Sequence, residues 1–256
     1  MTDQPSPPPA HDPDPEADAK DTRRMKAVLL TAATIAFVSV PLVVPFNGFA
    51  PDAFPVPQED PPIQPAGYAF SLWGLIYLWM LAHSLFGLVS RSEDVAWDGV
   101  RWPLVVSLIL GAAWLPVAQF SPVWATVMIW AMLLSALAAL LRTPAGQDRW
   151  LLRAPIALYA GWLTAASWVA IGLLGAGNGL GPGQIGWAWI GLAGALATAL
   201  AVTRVVPRAP VYAAAVIWAL IGVAVANWGV NWALVAVSLG GAVLVAAPSL
   251  ERLRAG

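Results

Sequence analysis

Apolar residues recur in eight blocks along this chain, at 27–46, 67–90, 101–120, 122–142, 153–175, 185–203, 210–226 and 230–247. Each is close to the roughly 20 residues a helix needs to cross a hydrocarbon core of roughly 30 Å. Nearly all charged residues fall between the blocks. The pattern therefore predicts an all-α fold, a polytopic membrane helix bundle of about eight transmembrane helices. Two boundaries are slight: Ser121-Pro122 parts the third block from the fourth, and the Gly229 region parts the last two. Each of those pairs is too long for one crossing, which favours two spans in both places.

The start of the chain breaks the pattern. Residues 1–24 are rich in Pro and Asp with almost nothing apolar to bury, and predict a disordered cytoplasmic tail. The first block reads as an uncleaved helix, not a signal peptide, because its leader is long and acidic and no small-residue cleavage motif ends it.

Charge then tests the topology. The 13 basic residues are Lys20, Arg23, Arg24, Lys26, Arg91, Arg101, Arg142, Arg149, Arg153, Arg204, Arg208, Arg252 and Arg254. With eight spans, all of them fall on one side. The positive-inside rule makes that side cytoplasmic, with both termini inside, as in a multi-pass protein of the bacterial cytoplasmic (inner) membrane. Asp52, Glu59 and Asp60 occupy the one sizeable outer loop, 47–66.

Composition removes several chemistries. The absence of Cys excludes disulfides, thiolate metal sites and Cys nucleophiles, and two His leave little scope for a metal cluster. No Asp, Glu, Lys or Arg lies in the middle of a span, which argues against ion pumping through a carboxylate relay. No Ser/His/Asp set or phosphate-binding glycine loop is present. The cluster Arg23–Lys26 is topogenic and does not imply a nucleic-acid partner.

Tryptophan is the exception, with 15 residues against 4 Tyr. Trp97, Trp102, Trp124, Trp150, Trp187, Trp189, Trp228 and Trp232 lie near predicted helix ends and read as headgroup-level anchors. Trp73, Trp79, Trp114, Trp130, Trp162, Trp168 and Trp218 lie deeper, where an indole N–H needs a partner. Trp73, Tyr77, Met80 and Ser84 share one helix face, as do Tyr159, Trp162 and Ala166. Together with Trp114 these aromatics either line a pocket in the outer half of the membrane or pack helix against helix. His83, inside a span, is read as a neutral, hydrogen-bonded side chain or as a haem or proton-transfer group. The stripe Gly191, Ala195, Ala199 implies close helix contact, within the chain or across a homodimer.

The segment PAGYAFSLWGLIYLWM at 65–80 carries a resemblance. Pro65, Gly67, Tyr68, Phe70, Trp73, Tyr77 and Met80 in the second span, Pro155, Leu158, Tyr159, Trp162, Ala165 and Ala166 in the fifth, and Trp114 in the third resemble the tryptophan-rich sensory protein family, TspO/MBR, whose animal members are the translocator proteins. The resemblance covers about residues 25–175. It departs at Tyr68, where Trp is usual, and at Gly111 and Ala170, where Asn is usual. It implies a TspO-like five-helix membrane core at 25–175, with 176–256 an additional three-helix membrane segment. It also implies a pocket beneath the first loop for flat hydrophobic ligands such as porphyrin, haem or a sterol, with Trp73, Tyr77, Trp114, Tyr159, Trp162 and Ala166 as ligand-binding residues. No fixed cofactor is expected, and partners are membrane lipid and a hydrophobic small molecule. The expected function is that of a ligand-binding sensor or regulator. A carrier of a small hydrophobic compound is the alternative. A tetrapyrrole-modifying enzyme ranks last, since the chain offers no acid/base pair.

Overall fold

The computed structural model describes residues 15–45, 48–144, 146, 148–206 and 209–254, with side chains to residue 247. It contains eight α-helices: α1 Pro15–Val43, α2 Leu72–Ser90, α3 Val95–Ala118, α4 Pro122–Leu141, α5 Arg153–Gly177, α6 Gly183–Val205, α7 Pro210–Ala226 and α8 Trp232–Arg254. A 3-10 turn, Gly67–Ser71, leads into α2. No strand occurs among the described residues. Six helices are long and apolar enough to cross a membrane; α7 and the stretch Trp232–Ala247 of α8 are shorter apolar helices. The chain is therefore an integral, multi-pass membrane protein.

Local chemistry sets the breaks. Ser121 accepts a hydrogen bond from the Trp124 N–H at 3.3 Å, and Pro122 opens α4, the ordinary pairing of an N-cap with a proline in the first turn. Gly229, with φ of 77°, turns the chain between α7 and α8.

Two helices begin a turn or more before their apolar blocks. Residues 15–24, expected to be tail, are helical: Pro15 and the acidic Glu16 and Asp18 suit a first turn, and Lys20 pairs with Glu16 at 3.0 Å. The first 14 residues of the expected tail lie outside the described residues, as does Arg208. Similarly α3 starts at Val95, where the Asp94 carboxylate accepts from the Ala96 N–H at 2.8 Å.

α5 is the most buried helix. It packs on α4 on one side and on α6 and α7 on the other, while α1 packs on α2 and α3, α3 on α4, and α8 on α7 and α6. Small residues permit this sharing: a side chain on Gly161 would strike the Tyr212 carbonyl and one on Gly175 the Trp187 ring. Gly191, Ala195 and Ala199 are likewise buried within the chain, Gly191 against Ile63 and the Trp168 carbonyl.

One end of the bundle is fastened by charge. Lys26 pairs with Asp98 at 2.8 Å, Arg24 with Glu93 at 3.1 Å and Arg91 with Asp148 at 2.8 Å. Arg101 donates to the Arg23 and Arg91 carbonyls. At the opposite end, loop 48–66 crosses α5, α6 and α7: the Val56 N–H donates to the Gly177 carbonyl, Gln184 to Gln58, and Asn227 to the Pro62 carbonyl.

Candidate functional site

A cavity of 440 Å³ lies below that loop, between α1, α2, α3, α4 and α5. Of the six residues expected at a site, Trp73, Tyr77, Trp114, Trp162 and Ala166 line it. Tyr159 does not: it is fully buried one turn toward the basic end, its hydroxyl 3.0 Å from Ser107 Oγ and its ring 5.7 Å from Phe37.

The wall is a set of interlocked rings. Trp73 stacks on Tyr77 at 5.5 Å, as their spacing of one helical turn dictates, and meets Trp162 edge-on at 6.1 Å. Phe37 of α1 presents its edge to Trp73 at 6.0 Å and to Tyr77 at 5.1 Å. Phe70 meets Trp162 at 5.8 Å, and Phe49 of the loop meets Trp114 at 6.4 Å. Trp114 is held in place by donating its indole N–H to the Ala125 carbonyl of α4 at 2.8 Å.

Polar groups here are few. Among the described lining residues none is Asp, Glu, Lys, Arg or His, and the one amide is Gln64. The Trp162 indole nitrogen is buried without a hydrogen-bond partner among the described residues. Gly111 and Ala170, two of the three departures from the TspO pattern, line the cavity, whereas Tyr68 does not. Gly111 is where the Phe37 ring sits: a Cβ there would lie 2.6 Å from Phe37 Cε2. Met80, Leu108 and Tyr159, each one turn deeper than a lining residue, are fully buried and close the chamber toward the basic end.

Phe37, Phe49, Phe70 and Met132 are lining residues that the aromatic spacing did not single out. Phe70 stood in the quoted motif; the others carry no local signal.

Other residues settle elsewhere. His83 is fully buried, bonded through Nδ1 to the Leu151 carbonyl at 2.7 Å and stacked on Trp97 at 4.9 Å. A carbonyl only accepts, so Nδ1 carries the proton. Trp97, expected as a headgroup anchor, is instead fully buried and donates to Asp148 Oδ2 at 3.0 Å. Trp79, Trp168 and Trp218 find partners in the Trp150 carbonyl, Thr198 Oγ1 and the Ala69 carbonyl.

These features define a multi-pass helical membrane protein with an aromatic-walled internal cavity. A family model described as TSPO-like protein matches residues 24–250, and the chain belongs to the TspO family. That match runs through α6, α7 and into α8. No curated protein and no solved structure matches the chain.

Proposed function

We propose that the chain binds a flat hydrophobic ligand, porphyrin-like or sterol-like, in the cavity under loop 48–66 and acts as a sensor or regulator. The observation that supports this most is the chamber itself: aromatic edges on several sides, apolar small residues on α5, and no charged group among its described lining. Rings and alkyl frameworks gain from burial against such walls. The acid groups of a tetrapyrrole find no cation inside and stay at the mouth, near Gln64. Binding is favoured over carriage because Met80, Leu108 and Tyr159 seal the chamber from the basic end.

Protoporphyrin titrated into purified protein is expected to quench Trp fluorescence saturably, with affinity reduced about tenfold or more by Trp162→Ala, a truncation at the size of a binding hot spot. Quenching that never saturates, or that matches empty detergent, overturns the reading. If binding holds, proteoliposome uptake separates the roles: protein-dependent flux of the same ligand favours the carrier.

The same reading places both termini in the cytoplasm of a bacterial inner membrane. The clustering of basic residues at one end of the bundle supports it.

A further inference from the structure

A second concavity lies on the outside of the bundle at its basic end, a groove of 620 Å³ between the start of α3 and the end of α4, with Lys26 of α1 at its rim. We propose that this groove is a site for one anionic phospholipid, its phosphodiester held at Arg142, Trp102 and Lys26 and its acyl chains lying along α3 and α4.

Arg142 is the C-cap of α4. Its Nη1 donates to the Ala138 carbonyl at 2.9 Å, which fixes the guanidinium at the helix end beside the groove, and its other side-chain donors have no partner among the described residues. Unlike Arg91, Arg24 and Lys26, it has no carboxylate within ion-pair reach among the described residues. Trp102 is 48% exposed, and its indole N–H has no partner among the described residues. Asp98 also lines the groove, but two cations already face it: Lys26 at 2.8 Å and Arg101 at 3.5 Å. Among the described lining residues Lys26 and Arg142 against Asp98 leave one positive charge in excess, which favours a headgroup with net negative charge.

Deeper in the groove the chemistry changes as a lipid's does. Ser135 lies seven residues before Arg142 on α4, about 10 Å further into the bilayer. Ser135, whose hydroxyl makes no hydrogen bond among the described residues, lines the groove between its charged end and its apolar surface. Beyond it Val106 and Leu134, 47% and 61% exposed, continue the groove as apolar surface on two membrane-spanning helices. A soluble phosphate would use only the upper half. An acyl chain uses all of it, and for that reason the occupant is a lipid.

Full-length protein in mixed micelles of phosphatidylglycerol and phosphatidylcholine tests this by native mass spectrometry. The wild type is expected to retain phosphatidylglycerol about fivefold over phosphatidylcholine for each charge engaged. Arg142→Gln, which removes one of the two cations at the site, should lower that preference about fivefold. Gly99→Leu, which fills the groove beside Arg142 without altering charge, should do the same. Both variants should keep the wild-type unfolding midpoint in pure detergent and the wild-type porphyrin response. Equal retention of the two lipids by the wild type overturns the proposal, as does a preference that neither substitution lowers. Displacement by inorganic phosphate also overturns it, in favour of a soluble anion.

Discussion

Phe37 shows how the cavity depends on a position that has no side chain at all. Its ring touches Trp73, Tyr77 and Tyr159, and it lies where a Cβ on Gly111 would be. Replacing a mid-helix Gly by Ala ordinarily gains about 1 kcal/mol. Here overpacking costs about 1–3 kcal/mol, since Phe37 Cδ2 at 2.7 Å and Met132 Cε at 3.1 Å must both yield. Gly111→Ala is therefore expected to lower the unfolding midpoint in detergent and weaken porphyrin quenching; a midpoint above wild type would show that the ring moves freely. The charged end gives a second prediction. Arg91 holds the Asp148 carboxyl below its ordinary 3.8, partial burial opposes the shift, and Trp97 adds to it. A depressed carboxyl stabilises fully above the ordinary value and loses its contribution as pH falls through the lowered one. Asp148→Asn should melt earlier than wild type at pH 7, with the gap narrowing below about pH 4; a constant gap down to pH 2 would mean that charge is not what holds loop 143–152. Trp73 and Tyr77 were readable because a one-turn spacing within one helix determines a shared face. Phe37 was not, because a lone Phe in a span looks the same whether it meets lipid or neighbours. Trp97 misled for a related reason: its partner Asp148 is 51 residues away.

At the level of elements, the motif that opens α2 is held from outside the five helices around the cavity. The Ala66 N–H donates to the Gly222 carbonyl of α7 at 3.0 Å, and the Trp218 indole donates to the Ala69 carbonyl at 2.9 Å. Gly222 allows the approach, as a Cβ there would lie 2.9 Å from both Pro65 and Ala69. Pro65 and Phe70, in that same motif, line the cavity, whereas Trp218 does not. Trp218→Phe keeps the apolar ring and deletes one hydrogen bond, a loss of about 1 kcal/mol, moderated because the Ala69 carbonyl also accepts from Leu72. The expected outcome is a several-fold weaker porphyrin affinity with unchanged helix content by circular dichroism. Unaltered affinity would mean that α7 supports the fold without bearing on the site. Helix number was legible because eight apolar blocks became eight helices. The starts of α1 and α3 were not, since first turns broken by charges such as Glu16 and Asp98 fall outside the apolar blocks and are stabilised by ion pairs and caps instead.

For the whole molecule, the sorting of charge is a property that the sequence carried almost completely and that packing then made physical. Arg24, Lys26, Arg91 and Arg101, from the N-terminal half of α1 and around the loop between α2 and α3, meet at one end of the bundle, where they bind carboxylates and carbonyls from neighbouring segments. Asp52, Glu59 and Asp60 lie at the other end, in the loop over the cavity. What the pattern could not convey is that α5 is a shared wall, because burial on all sides and exposure to lipid both select apolar residues. Charge sorting yields the orientation to be tested. Lys and Arg near span ends resist translocation whereas acidic residues count for little, so the loop between α2 and α3 should stay inside and loop 48–66 should emerge. The chain has no Cys, so single substitutions report without background. In intact bacterial cells a membrane-impermeant maleimide should label Glu59→Cys at once and Ser92→Cys only after permeabilisation. The reverse pattern would put the cavity mouth on the cytoplasmic side, and a ligand would then reach it from within the cell.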